Sequence, residues 1–156
     1  MIPILHRMFK RIRHALILLW KEKKSPAYRA RGLAVGVFSG CFPLFGLQTL
    51  IGVGLASLVR GSHLLAAVGT WISNPLTYIP LYWLNYKLGS LLLGKSIDFI
   101  EYRELTNKEL WSQGWLFSLK IFLGSSLIGL FMSIIVGTSL YLFLKYQSSK
   151  IITRKN

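Results

Sequence analysis

Two uncharged stretches, Gly32 to Val59 and Gly61 to Tyr86, are each interrupted near the middle by proline and amide residues. The first interruption reads Phe42-Pro43-Leu44-Phe45-Gly46-Leu47-Gln48 and the second Ser73-Asn74-Pro75-Leu76-Thr77. Apolar runs of this length belong in hydrocarbon. Water is absent there, so backbone groups freed by a break must be satisfied by protein or must line a polar cavity. Two such breaks in 156 residues predict a shared site.

Lengths constrain the path. The first stretch has 28 residues, about 42 Å as a straight helix against a hydrocarbon layer of about 30 Å. That is too long for one upright crossing and too short for two. Split at Pro43 to Gly46, its halves reach about 16 to 20 Å, which fits a hairpin that enters and leaves by the same face. A single tilted span kinked at Pro43 fits as well. The second stretch repeats the layout, with Asn74-Pro75 about a dozen residues in. Pro80 predicts a further local disruption there.

Composition supports a membrane class: 53% of residues are hydrophobic and the mean hydropathy is +0.48. Nineteen Lys and Arg oppose five acids, and the excess sits at the ends. Nine lie between Arg7 and Arg31, and Lys145, Lys150, Arg154 and Lys155 close the chain. No nucleic-acid recognition module accompanies them, so these clusters read as the positive-inside signal and not as a nucleic-acid surface. If both face the cytoplasm, the number of full crossings is even. This favours a first stretch that returns, a second that crosses outward, an external loop and a last span that comes back. Three plain spans are the competing topology.

Residues 1–25 alternate at helical spacing. Leu5, Met8, Phe9, Ile12, Leu16 and Leu19 share one face, with Arg7, Lys10, Arg11, His14 and Lys21 opposite. This predicts a basic amphipathic helix lying on anionic headgroups, or packed on the protein's own surface. Charges interleave its apolar residues, so it does not read as a secretory signal. Ser25-Pro26 then suits a new helix, Ser25 as cap and Pro26 first. Residues 26–94 form the membrane segment with the two broken helices, and 95–113 a polar loop holding four of the five acids. A short helix beginning at Asn107 is expected there, from the capping-box spacing of Thr106 and Glu109. The segment 114–144 contains an uninterrupted span, Ile121 to Leu144, and 145–156 is a basic tail.

Small residues recur every fourth position at Gly32, Gly36 and Gly40, at Gly52 and Ala56, and at Ser125, Gly129, Ser133 and Gly137. Such stripes let helices approach closely, either within the chain or across a homo-oligomer seam. At the breaks, Gln48, Thr49, Asn74 and Thr77 are the candidate ligand-binding side chains, and Pro43, Gly46 and Pro75 are the structural breaks. Their hydrogen-bonding groups can instead repair broken backbone.

Catalysis finds little support. His6, His14 and His63 lack the companions of a metal site, so no metal or cofactor is expected. Ser39 and Ser73 lack a base, Cys41 sits among small apolar neighbours, and Glu101 and Glu104 belong to a solvated charged segment.

Three elements in order, Ala30-Arg31-Gly32-Leu33-Ala34-Val35-Gly36, Pro43-Leu44-Phe45-Gly46-Leu47-Gln48-Thr49 and Gly69-Thr70-Trp71-Ile72-Ser73-Asn74-Pro75-Leu76-Thr77, resemble the bacterial membrane family called domain of unknown function 2062. The resemblance covers roughly Arg29 to Gly94. It implies a small bacterial inner-membrane protein and carries no reaction, ligand or catalytic residue.

The expectation is therefore an all-α integral membrane protein, multi-pass and non-enzymatic, with both termini cytoplasmic. The paired breaks would bind or pass a small solute, with anionic lipids and a second copy of the chain as partners. A membrane assembly or lipid-organising factor is the alternative. An enzyme acting on lipid or polyprenyl carriers ranks third, because no catalytic constellation stands behind it.

Overall fold

A computed structural model describes residues 24–44, 46–74, 76–94 and 107–153, with side chains of the last segment described over 114–149. The amphipathic segment up to residue 23, Phe45, Pro75 and the loop 95–106 lie outside the described residues. Within them every regular element is helical. Helix α1 runs Pro26–Gly40, α2 Leu47–Leu58, and α3 His63–Gly69 with a 3-10 extension Thr70–Ile72; α4 runs Tyr78–Leu93 and α5 Asn107–Thr153.

Helix starts follow local chemistry. Ser25 Oγ accepts from Tyr28 N at 3.3 Å with Pro26 at the first position, and Ser62 Oγ accepts from Leu65 N at 3.3 Å. Pro80 makes no disruption. It falls in the first turn of α4, where a missing N–H goes unnoticed, and the helix continues unbroken to Leu93. The short helix expected in the polar loop, the span and most of the basic tail are also one element. The helix expected to begin at Asn107 does begin there, but it continues through Gly114 and on to Thr153. No proline interrupts those 47 residues, and each of their four glycines costs only about 1 kcal/mol.

Close approaches fix directions. A methyl group added to Gly36 would collide with the Ala66 backbone, and one added to Gly32 or Gly40 would collide with Ser62 or Thr70. The pairing 32 to 62, 36 to 66 and 40 to 70 makes α1 and α3 parallel. Helix α2 runs back beside them: Gly52 lies against Ser39 and Thr70, and Gly61 against Arg31 and Gly32. The chain thus reverses at the first break, forming a helical hairpin where a kinked single helix was the competing expectation.

Helix α5 runs antiparallel to α1, with Gly137 against Ala34 and Gly129 against Phe38 and Cys41. It is antiparallel to α4 as well, with Gly124 on the Asn85 backbone and Gly89 on that of Lys120. Helices α1 and α4 therefore lie in tandem along α5, and the second break lets the chain continue in its original direction. The glycines of the small-residue stripes, Gly32, Gly36, Gly40, Gly52, Gly129 and Gly137, each lie against another helix of the chain.

Among the described residues one helix, Gly114–Ser149, is long and apolar enough to cross a membrane, and little of it is buried. Large apolar side chains face outward along it and its neighbours, among them Leu50 at 70% exposure, Leu91 at 80% and Phe131 at 65%. The buried apolar core is mostly small residues, Ala30, Val37, Cys41, Ala56 and Ala66, joined by Leu65 and Leu144.

Candidate functional site

Both breaks lie at one level, grouped around the C-terminus of α1. Once the helix stops at Gly40, the carbonyls of the last turn need donors. Asn85 of α4 supplies one: its Nδ2 donates to the Cys41 carbonyl at 2.9 Å and to Ser125 Oγ of α5 at 2.8 Å. All three residues are fully buried. The Tyr82 hydroxyl donates to the Phe42 carbonyl at 3.4 Å and lies 3.3 Å from Ser73 Oγ, so one side chain of α4 reaches both breaks.

The opposite flank joins α2 to α3. Thr70 Oγ1 donates to the Ala67 carbonyl at 2.7 Å, so in its 3.1 Å contact with Thr49 Oγ1 the Thr49 hydroxyl is the donor. Gln48 Nε2 donates to the Thr70 carbonyl at 3.5 Å, and the Ser39 hydroxyl donates to the Gln48 carbonyl. Ser39, Gln48, Thr49, Thr70, Ser73, Tyr82, Asn85 and Ser125 thus make a polar layer across an otherwise apolar bundle.

At the second break, side chains act on their own backbone. Asn74 Oδ1 accepts from Leu76 N at 2.9 Å and Thr77 N at 3.2 Å. Thr77 Oγ1 donates to the Ile72 carbonyl at 2.6 Å and accepts from Asn74 N at 2.9 Å. Both candidate ligand residues are occupied in local repair. At the first break Gly46 has φ +80° and is exposed, with no side-chain cap on α2. Pro43 is half-buried, and Gln48 and Thr49 are half-buried beside it.

Two carboxamide oxygens in this layer, Gln48 Oε1 and Asn85 Oδ1, are buried without a hydrogen-bond partner. Each is a buried acceptor to which no protein group donates, and leaving such a group unpaired costs about 1 to 3 kcal/mol. They lie on opposite flanks of the α1 terminus, Gln48 toward α3 and Asn85 toward α5.

Asn85, Tyr82 and Thr70 were not among the sequence candidates. Asn85 stands alone in the aromatic run Tyr82-Trp83-Leu84-Asn85-Tyr86, and its role depends on where α1 ends. A polar residue inside an apolar stretch was the available signal. Lys120 is a second surprise: it is 2% exposed, and its ammonium sits 5.7 Å from the centre of the Tyr86 ring. His63 does have a companion, with Nε2 2.8 Å from Ser57 Oγ across the α2–α3 turn. Among the described side chains no carboxylate joins that pair, and no group of three His, Cys, Asp or Glu gathers among the described residues.

A family model described as an uncharacterized protein conserved in bacteria (DUF2062) matches residues 7–152. No curated protein and no solved structure matches the chain.

Proposed function

The chain belongs to the bacterial family DUF2062, and we propose that it is a non-enzymatic, multi-pass protein of the bacterial inner membrane whose polar layer binds or passes a small hydrogen-bond-donating solute. The first stretch is then a re-entrant hairpin, the second a broken crossing, and α5 the return, with both termini cytoplasmic. The uncharged residues Ile121 to Leu144 of α5 place Ser125 and Gly129, and with them the breaks, about 8 and 14 Å along the helix from Lys120. Both distances are inside the hydrocarbon layer on this reading.

The observation that carries the proposal is the pair of buried, partnerless acceptors, Gln48 Oε1 and Asn85 Oδ1. A solute bearing N–H or O–H groups, an ammonium or a polyol, satisfies them; an anion does not. Asn74 and Thr77 hold the second break in shape and take no direct part. Flux into proteoliposomes tests this directly. Gln48→Leu removes one acceptor at a half-buried position and is expected to abolish passage with folding retained. Wild-type flux no greater than that of empty liposomes, across ammonium and small polyols, would refute it.

A second reading, a membrane assembly or lipid-organising factor, is favoured by a different feature: an apolar groove opens sideways between α1 and α5. Here the close-packed junction only shapes the bundle. Accessibility labelling of cysteines placed at positions 5 and 150, in a Cys41→Ser background, tests the topology common to both readings. Labelling from opposite sides would mean an odd number of crossings.

A further inference from the structure

The groove between the beginning of α1 and the C-terminal half of α5 has a volume of about 340 Å³, within the range of small-ligand sites. Ala27, Ala30 and Ala34 of α1 face Ser133, Gly137 and Thr138 of α5 across it. From Ser133 to Tyr141 it extends eight residues, about 12 Å, close to the depth of one leaflet's hydrocarbon, about 15 Å. Its walls carry one charge, Arg31, and one phenol, Tyr141. Cations stand just beyond: Lys145 Nζ lies 5.9 Å from the Tyr141 ring centre, and Lys24 Nζ lies 5.8 Å from that of Tyr28, one residue from Ala27.

We propose that this groove holds one anionic phospholipid, an acyl chain lying on the alanines and Gly137 and the phosphate met by Arg31. Charge decides between occupants. A helix from a second copy would bury Arg31 against protein, yet the chain's five acids lie at Glu22 and between Asp98 and Glu109, with none in an apolar stretch. A lipid supplies the anion and the apolar chain in one molecule. Arginine also suits a phosphate, offering it two parallel donors. The proposal rests on the membrane placement of α5 and is independent of the solute reading of the polar layer.

The test uses the full chain in detergent, titrated with dioleoyl phosphatidylglycerol or dioleoyl phosphatidylcholine and followed by thermal shift and native mass spectrometry. Phosphatidylglycerol should raise the melting temperature and remain bound at a stoichiometry of one, while phosphatidylcholine should do neither. Arg31→Gln should weaken the phosphatidylglycerol response at least fivefold. Thr138→Trp, which fills the groove from an exposed position, should do the same with Arg31 intact. Equal responses to the two lipids, or no loss in Arg31→Gln, overturn the proposal. Loss in Arg31→Gln alone also overturns it, by placing the lipid on surface charge outside the groove. Lipid-independent disulfide formation between copies of a Thr138→Cys, Cys41→Ser chain does so too, by assigning the groove to a second copy. Release of the chain from membranes by alkaline carbonate would instead remove the membrane placement itself.

Discussion

The two breaks are made of similar residues and have opposite outcomes. At Phe42 to Gly46 the chain turns back on itself; at Ser73 to Thr77 it steps sideways and continues. The first turn ends in Gly46 at φ +80°, with no side chain capping α2. The second is closed by five hydrogen bonds between Asn74 or Thr77 side chains and nearby backbone. The preceding helix stops short of the break in either place, at Gly40 and at Ile72. The direction taken afterwards depends on the next helix's small residues: Gly52 and Ala56 bring α2 back beside α1 and α3, whereas Gly89 sends α4 onward against α5.

That contrast can be broken most forcefully at the close approaches. Gly36→Val drives two methyl groups into the Ala66 backbone, which has nowhere to go, and should cost upwards of about 3 kcal/mol or prevent recovery of folded protein. Monodispersity by size exclusion in detergent reads it. Asn85→Leu comes next. It strands the Cys41 carbonyl and Ser125 hydroxyl inside the protein, at about 1 to 3 kcal/mol each, offset in part by removal of the unpaired Oδ1. Its melting temperature should fall well below that of Ser125→Ala, which removes one partner only.

Gly46→Ala against Asn74→Ala sharpens the comparison between the breaks themselves. The first forces a β-carbon into a region only glycine enters easily, about 1 to 3 kcal/mol; the second deletes a cap-like acceptor, about 1 kcal/mol. Equal melting temperatures would mean that the reversal does not depend on the Gly46 backbone. The smallest effect carries the opposite sign. Arg60 has φ +51° in the turn after α2, where its N–H bonds the Ser57 carbonyl and the Gly61 N–H bonds that of Ala56. Glycine usually fills that position. Here the glycine is needed one residue later, because a β-carbon on Gly61 would lie 2.6 Å from the Gly32 nitrogen. Arg60→Gly should therefore raise stability by up to about 1 kcal/mol, visible as a melting temperature a few degrees higher.

Much of the backbone plan was legible. Proline marks both breaks in the sequence, with Gly46 at the first, Ser25-Pro26 marks the start of α1, and capping-box spacing marks Asn107. The four-residue stripes predict close helix contacts without naming their partners, and the chain itself supplies them. Tertiary pairing accounts for the rest. Asn85 and Tyr82 matter because α4 happens to pass the end of α1, a relation no local pattern encodes. Gly89 and Gly124 belong to no regular stripe, and each is tight only against the other's helix. Pro80 misleads because its effect depends on its position in the first turn, which Asn74 and Thr77 determine. That the two breaks meet was readable, while the division into backbone repair at Asn74 and Thr77 and open acceptors at Gln48 and Asn85 was not.

The tandem arrangement of α1 and α4 along α5 has a mechanical corollary. Level with Gly36, a section through the described residues cuts four helices: α1, α2, α3 and α5. Level with Gly89 it cuts two, α4 and α5. Each helix is about 10 Å across, so these two sections of the described residues differ in area by roughly 160 Å². A tapered body of this kind, set in a bilayer, displaces more lipid from one monolayer than from the other. Its elastic energy then falls wherever the sheet already bends toward the narrow end, so membrane shape itself would act as an address.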